Sequence, residues 1–285
     1  MTTATRDLYC VMGHPVAHSR SPWIHQRFAA LTGQALDYER QLVPLDGFAQ
    51  AVQHFAQAGG RGCNVTVPFK HEAAQCADSC SPRVHLAGAA NTLVLAQGRI
   101  HADNTDGLGL VADITRNADV PLAGRDVLLV GAGGAGAGVL GPLLEQGPRS
   151  LVVANRTLAR AQALVQSHLE LAALQKTKLL ALDLQGLEHD FDLIINATAS
   201  SLEGAGVPVP AQVLRPGCLA YDMMYGPAAQ GFLHWATQHG AQARDGLGML
   251  VEQAAEAFAL WRGVRPPAAQ VLAELRALLQ AEAVA

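Results

Sequence analysis

The stretch Asp126-Val-Leu-Leu-Val-Gly-Ala-Gly-Gly-Ala-Gly136 decides how this chain is read. Val127 to Val130 is an apolar run of the kind that fills a fully buried parallel strand. It passes directly into Gly131-x-Gly133-x-x-Gly136, and the spacing of Val139, Leu140, Leu143 and Leu144 predicts a helix. Strand, glycine turn, helix is the order that a dinucleotide site requires. Each glycine has its own reason to be there. Gly131 permits the tight turn, Gly133 lets the backbone approach a pyrophosphate, and Gly136 lets the helix pack on the strand. The helix N-terminus adds unpaired N–H groups and a partial positive charge for the phosphates. Ala132, Gly134 and Ala135 complete this candidate cofactor turn. Glycine turns also serve plain chain reversal; the strand before and the helix after favour the cofactor.

The next strand, Ser150 to Ala154, ends at Asn155-Arg156-Thr157, with Arg160 one turn into a helix. An NAD site wants a carboxylate here for the ribose hydroxyl. The sequence has no Asp or Glu at this point. Arg156, Arg160 and Thr157 instead suit a 2′-phosphate, held by charge-assisted bonds and a helix terminus. The structural alternative is an ordinary helix cap with solvated arginines. A further strand, Asp192 to Thr198, ends in small polar residues where its carboxyl end opens onto a cofactor crevice.

Working outward, the 285 residues are enough for two domains, and a 50% hydrophobic, 15% charged composition supports a sizeable core. A net charge of −4 offers no basic footprint for nucleic acid. No run of eighteen apolar residues suits a membrane span, and Met1 to Asp7 lacks a leader's apolar region, so the expectation is cytoplasmic. The five cysteines are unpaired in spacing and the eleven histidines are scattered, so neither a disulfide framework nor a metal is expected.

Before the glycine turn, Leu8 to Met12 reads as a strand ending in the loop Gly13-His-Pro-Val-Ala-His18. In Ser19-Arg-Ser21-Pro22, Ser21 is expected as N-cap with Pro22 at the first helical position. Two hydroxyls at a helix start also suit a substrate carboxylate. Cys63 to Val67 alternates as a strand, which points Asn64 and Thr66 to one side. Lys70 opens a helix after Pro68; the dipole disfavours a cation there, a placement suited to an acid/base lysine, or else a solvated surface residue. Asn91 to Asn104 reads as a hairpin turning at Gln97-Gly98, followed by Thr105-Asp106-Gly107, where Asp-Gly usually marks a turn. Leu108 to Asn117 reads as the helix that crosses to a second domain. Cys218 to Tyr225 is a strand, with Tyr225 either a core edge or a lid. In the helix opening at Asp245-Gly-Leu-Gly-Met249, Gln253 shares a face with Met249, and a glutamine is an odd choice for that apolar stripe. Ala268 to Ala285 reads as a terminal amphipathic helix.

Taken together, Gly13-His-Pro-Val-x-His-Ser19-x-Ser21-Pro, Asn64-Val-Thr66-Val-Pro-x-Lys70, Gly88-Ala-Ala-Asn91-Thr, Asn104-Thr-Asp106-Gly, Gly131-Ala-Gly-Gly-Ala, Asn155-Arg-Thr157, Asn196-Ala-Thr198, Tyr221-Asp-Met-Met-Tyr225 and Asp245-Gly-Leu-Gly-Met-Leu-Val-x-Gln253 form an ordered set. The set resembles the shikimate dehydrogenase family along nearly the whole chain. The resemblance implies a two-domain α/β protein. Its substrate domain would span 1–107, completed by helices in 247–285, and its Rossmann-type NADP domain 108–246. It implies reversible reduction of 3-dehydroshikimate to shikimate with NADP(H), in aromatic amino-acid biosynthesis. Lys70 and Asp106 match the catalytic pair. Ser19, Ser21, Asn64, Thr66, Asn91, Asp106 and Gln253 match residues that hold substrate. Asn155, Arg156, Thr157 and Arg160 match the adenosine-phosphate clamp. Met223, Tyr225, Gly246 and Met249 match the nicotinamide end, Tyr225 also counting among substrate contacts and Thr198 among cofactor contacts. Two departures are visible. Ala137 stands where most relatives are basic, and Gly226-Pro-Ala-Ala-Gln-Gly231 lacks the usual Thr-Pro. The same resemblance leaves room for a relative that uses quinate or NAD, for a silent NADP or shikimate sensor, and for a monomer or a homodimer.

Overall fold

The computed structural model describes residues 6–198 and 209–284. The leaderless N-terminal reading of 1–5 and the last residue of the expected terminal helix, Ala285, lie outside the described residues. The chain runs β1 (Asp7–Gly13), α1 (Ser21–Thr32), β2 (Leu36–Leu42), α2 (Phe48–Gln57), β3 (Gly60–Val65), α3 (Lys70–Gln75), β4 (Ser79–Cys80), α4 (Pro82–Ala87), β5 (Thr92–Ala96), β6 (Arg99–Asp103) and α5 (Asp106–Ala112). A π-helical segment, Asp113–Asn117, follows. Then come β7 (Asp126–Val130), α6 (Gly134–Glu145), β8 (Ser150–Ala154), α7 (Leu158–Gln166), α8 (Leu169–Leu174), β9 (Lys178–Leu182), β10 (Phe191–Asn196), β11 (Leu214–Asp222), α9 (Gln230–Gln238) and β12 (Gln242–Arg244). The chain closes with α10 (Leu247–Arg262) and α11 (Ala268–Val284). Two compact units result: Met1–Gly109 with Val251–Ala285, and Leu110–Leu250.

In the second unit, six parallel strands pair in the order β12-β11-β10-β7-β8-β9. Counted from β7, this is the doubly wound 3-2-1-4-5-6 order, whose strand sequence reverses between β7 and β10. Alternation along β7 explains why both sheet faces are covered. Val127 and Leu129 join one core with Val139, Leu140, Leu143 and Leu144 of α6. Leu128 and Val130 point into the other, with Phe232 and Ala236 of α9. An apolar strand buried on both faces is what a parallel sheet requires.

The first unit has a mixed sheet, β2-β1-β3-β5-β6-β4, in which β5 runs antiparallel to both β3 and β6. The β5–β6 turn places Gln97 at φ 54° and Gly98 at φ 73°, the twin left-handed geometry of a tight hairpin. Phe48, Val52 and Phe55 of α2, with Phe69 and Ala73, fill one core against Cys10, Met12, Cys63 and Val65.

Several boundaries differ from the sequence expectation. Ser21 is the first helical residue of α1, and Arg20, already in αR geometry, is the cap. The capping oxygen belongs to Ser19, whose Oγ accepts the Ser21 N–H at 3.3 Å. β3 stops at Val65, so Thr66 is not on the strand with Asn64. The Thr66 carbonyl instead accepts from Phe69 N, closing the turn into α3. Asp106 begins a helix rather than occupying a turn. β11 starts at Leu214, ahead of Pro216, and the register shift opposite Phe191 and Leu193 absorbs that interruption. Met223 to Tyr225 lie beyond its end.

Candidate functional site

In the first unit, Lys70 opens α3 and Asp106 opens α5, and the Lys70 ammonium donates to Asp106 Oδ2 at 2.6 Å. Both side chains keep some access to solvent, 25% for the lysine and 11% for the aspartate. That combination leaves a charged pair reachable by a ligand. Asp106 is braced on its other oxygen, Oδ1, by Asn91 Nδ2 at 2.8 Å. Its backbone N–H donates to Asn104 Oδ1 at 3.1 Å. Asn91 sits just before β5, and its N–H donates to the Asp103 carbonyl at the end of β6. The hairpin therefore delivers Asn91 and Asp106 to the same end of the sheet. The Lys70 carbonyl accepts from Ala90 N, which binds the start of α3 to the same strand entry.

Gln253 of α10 joins this group from far along the chain: Asn91 Nδ2 donates to its Oε1 at 3.2 Å across 162 residues. The glutamine that looked odd in an apolar stripe is there for a polar contact. Asn64 is buried, donates to Thr92 Oγ1 at 3.2 Å and accepts from the Tyr38 hydroxyl at 2.7 Å. Ser19 is held through its carbonyl by the Arg40 guanidinium, at 3.0 and 2.6 Å, and through its hydroxyl by Ser21 N–H. Thr66 is half-buried at the mouth of the same strand end, its N–H donated to the Met12 carbonyl. Thus Lys70, Asn91, Asp106 and Gln253 form one directly bonded group. Asn64 reaches it through Thr92 and through the Asn91 backbone carbonyl, to which its Nδ2 donates at 3.3 Å, while Ser19 and Thr66 have no side-chain bond into it among the described residues.

In the second unit the glycine turn sits at the carboxyl ends of β7 and β10, the reversal point of the sheet. Gly131 has φ +112°, and its Cα faces the Ala197 backbone and the Thr198 methyl. A Cβ on Gly136 would overlap the Gly131 carbonyl oxygen, so only glycine lets α6 start this close to the turn. Ala132 N–H donates to Asn155 Oδ1 at 3.1 Å, and Asn155 Nδ2 donates to the Thr157 carbonyl at 2.9 Å. One carboxamide thereby ties the turn to the β8–α7 loop. Arg156, Thr157 and Arg160 are exposed, and neither guanidinium has an ion-pair partner among the described residues. Two unpaired cations beside a helix start are suited to a phosphate. Thr198 folds back on Asn196, donating from Oγ1 at 2.7 Å. Met223 N–H donates to the Asn196 carbonyl, and Gly246 N–H to the Met224 carbonyl. A Cβ on Gly246 would overlap the Met223 carbonyl, so these two segments touch backbone to backbone. Met249 is buried in the second unit's core, and Tyr225 is half-buried beyond β11.

Sequence reading missed the support beneath this end. Asp113, fully buried in the π-helical segment, accepts from Arg244 Nε and Nη2, at 2.9 and 2.6 Å, and from the Tyr221 hydroxyl at 2.8 Å. Burial pushes the Tyr221 phenol well above its ordinary pKa, so it donates as a neutral hydroxyl. Gly248 has room for a hydrogen alone, since a Cβ would overlap the Asp113 carboxylate. An aspartate in a helix of mixed polarity carries no local signal that it will be enclosed. Among the described residues no three His, Cys, Asp or Glu side chains are grouped to hold a metal. All five cysteines are free thiols, and no described helix is long and apolar enough to cross a membrane.

The strand order and glycine turn define an α/β protein with a Rossmann-type dinucleotide-binding unit. Family models match the chain as "Shikimate dehydrogenase substrate binding domain" over 11–93, "Shikimate / quinate 5-dehydrogenase" over 113–203 and "Shikimate 5'-dehydrogenase C-terminal domain" over 246–276. A shikimate dehydrogenase (NADP(+)) of Acidovorax sp. strain JS42 is 78% identical over 281 residues, 99% of this chain and 100% of that one. The chain belongs to the shikimate dehydrogenase family. Among solved structures it is similar to an Ael1 enzyme from Pseudomonas putida, with a TM-score of 0.88 and 46% identity over 94% of this chain and 98% of the other. It is also similar to shikimate 5-dehydrogenase of Thermus thermophilus in complex with NADP(H) and shikimate, with a TM-score of 0.82 and 32% identity over 95% and 98% of the two chains.

Proposed function

We propose that this chain catalyses the reversible, NADP(H)-dependent reduction of 3-dehydroshikimate to shikimate in aromatic amino-acid biosynthesis. The observation that carries the chemistry is the 2.6 Å Lys70–Asp106 pair, braced by Asn91 and still open to solvent. The substrate and cofactor follow from relatives as close as 78% identical that are named for them. The first unit is the substrate domain and the second the cofactor domain.

The residues present fit NADP(H): a glycine turn crowded to the point where a Cβ would overlap, a helix start behind it, and two exposed arginines beside it. When bound, the cofactor supplies or accepts the hydride. Gly131 to Ala135 would receive the pyrophosphate; Asn155, Arg156, Thr157 and Arg160 would hold the adenosine 2′-phosphate. Thr198, Met223, Gly246 and Met249 would border the nicotinamide.

Ser19 and Ser21 would bind the substrate carboxylate. Asn64, Thr66, Asn91, Tyr225 and Gln253 would take its hydroxyls. Lys70 gives a proton to the carbonyl oxygen as reduction proceeds, and takes it from the hydroxyl in the reverse direction. Asp106 holds the ammonium in place, at 2.6 Å. We assign the protein to the cytoplasm, acting as a monomer or homodimer. Following absorbance at 340 nm with shikimate and NADP⁺ tests the reading. Turnover with this pair and much weaker turnover with quinate or NAD⁺ is the expected result. Binding of NADP⁺ without turnover of shikimate would instead make the protein a sensor.

A further inference from the structure

We infer that Thr92 is a positioning residue, its buried hydroxyl linking the Asn64 carboxamide to that of Asn91 and holding Asn64 in place toward the substrate. The inference rests on the site reading above. Thr92 is fully buried and was part of a motif without a role of its own.

The directions of its bonds to the two carboxamides are forced. The Asp106 carboxylate is an acceptor, so Asn91 must turn its Nδ2 toward it, at 2.8 Å. Asn91 Oδ1 is then the atom that accepts the fixed backbone N–H of Thr105, at 2.8 Å. With that oxygen facing it at 2.9 Å, the Thr92 hydroxyl must donate its one proton to Asn91. It can therefore only accept from Asn64, which must present Nδ2, at 3.2 Å. Asn64 Oδ1 is left for the Tyr38 hydroxyl, which donates at 2.7 Å. The charge on Asp106 thus dictates a one-way chain from Tyr38 through Asn64, Thr92 and Asn91 to the partner of Lys70. Removing the Thr92 hydroxyl takes one partner from each of two buried carboxamides, and leaves Asn64 Nδ2 with the Asn91 backbone carbonyl alone, at 3.3 Å.

The far end of the chain is anchored in an aromatic cage. The Tyr38 ring stacks on His25 with centroids 4.3 Å apart and planes within 3°. His25 is fully buried, and neither ring nitrogen makes a well-formed hydrogen bond. It serves as a flat, uncharged platform that holds the Tyr38 hydroxyl on Asn64.

The test compares Thr92→Val, which keeps the shape and removes the hydroxyl, with Thr92→Ser, which keeps the hydroxyl. Thr92→Val should lower kcat/KM for shikimate about tenfold or more, the order expected when buried polar groups lose a partner. Thr92→Ser should stay within about twofold of the parent, and the KM for NADP⁺ should not move in either. Parent-like kinetics in Thr92→Val, equal losses in both variants, or a parallel rise in the NADP⁺ KM would overturn the inference. If Thr92→Val does not fold, Tyr38→Phe carries the test: a raised shikimate KM at constant NADP⁺ KM supports the chain, and parent-like kinetics overturn it. Lys70→Ala and Asp106→Asn separate the two levels. Full turnover in those variants would remove the site reading itself. Their inactivity beside a parent-like Thr92→Val would remove the positioning role alone.

Discussion

Lys70 and Asp106, each the first residue of its helix, meet at 2.6 Å although 36 positions separate them in the chain. That contact sets a proton-carrying side chain and the carboxylate that positions it at one solvent-reachable point. Lys70→Ala should therefore cost roughly a hundred- to ten-thousandfold in kcat, the range of acid/base help, with a smaller change in the shikimate KM. Asp106→Asn should fall in the same range. Steady-state rates at saturating shikimate and NADP⁺ measure both.

The exposed Arg156 guanidinium beside the β8–α7 loop predicts cofactor selectivity. Arg156→Ala should raise the NADP⁺ KM by one to two decades, since a charged hydrogen bond contributes about 1.5–3 kcal/mol. The KM for NAD⁺, which has no 2′-phosphate, should change little. Side-by-side titrations with the two cofactors decide the matter; equal changes in both would remove Arg156 from the clamp.

Asp113 is fully buried, and the half-buried Arg244 supplies its cation. Arg244→Ala leaves a carboxylate enclosed without its cation, a change that typically destabilises by about 3–5 kcal/mol. Gly248→Ala would drive a methyl into the same carboxylate. Both variants should unfold at lower denaturant concentration, and both should weaken NADP⁺ binding because Gly246 lies on the segment they disturb. Urea unfolding and cofactor titration report the two effects separately.

Acid should weaken the fold through His25. Burial pushes its pKa from 6.5 down to about 3, an effect the nearby Asn64 carboxamide only partly opposes. Between those values the unfolded chain binds a proton that the folded chain refuses. This contribution is complete above about pH 6.5 and is lost as pH falls toward about 3, by up to about 1.4 kcal/mol per pH unit. His25→Phe, which fills the aromatic cage without a titrating group, should flatten the dependence of Tm on pH between 6 and 4. Asp126 adds a second, lower window. The Arg149 guanidinium holds its carboxyl below the usual carboxylate range, so its contribution is present above about pH 3.8 and fades beneath it. An unchanged pH profile in His25→Phe would show that the buried imidazole is not the source.

Local physics made much of this protein readable from its residues alone. The apolar run Val127 to Val130, the three glycines and the helical spacing after them determined a Rossmann turn, because strand burial, backbone freedom and amphipathic period all act within a dozen residues. The hairpin at Gln97-Gly98 and the helix opening at Lys70 were determined the same way. Tertiary structure decided what those signals do not encode. Ser19, not Ser21, provides the capping oxygen, and Thr66 leaves its strand, because the neighbouring turns claimed those backbone groups. Gln253 meets Asn91, Arg244 meets Asp113, and Thr92 stands between two carboxamides only after packing has brought separate elements within hydrogen-bond reach. Hydrogen bonds are made or lost over a few tenths of an ångström, and no propensity or period in the chain carries that precision from one element to another.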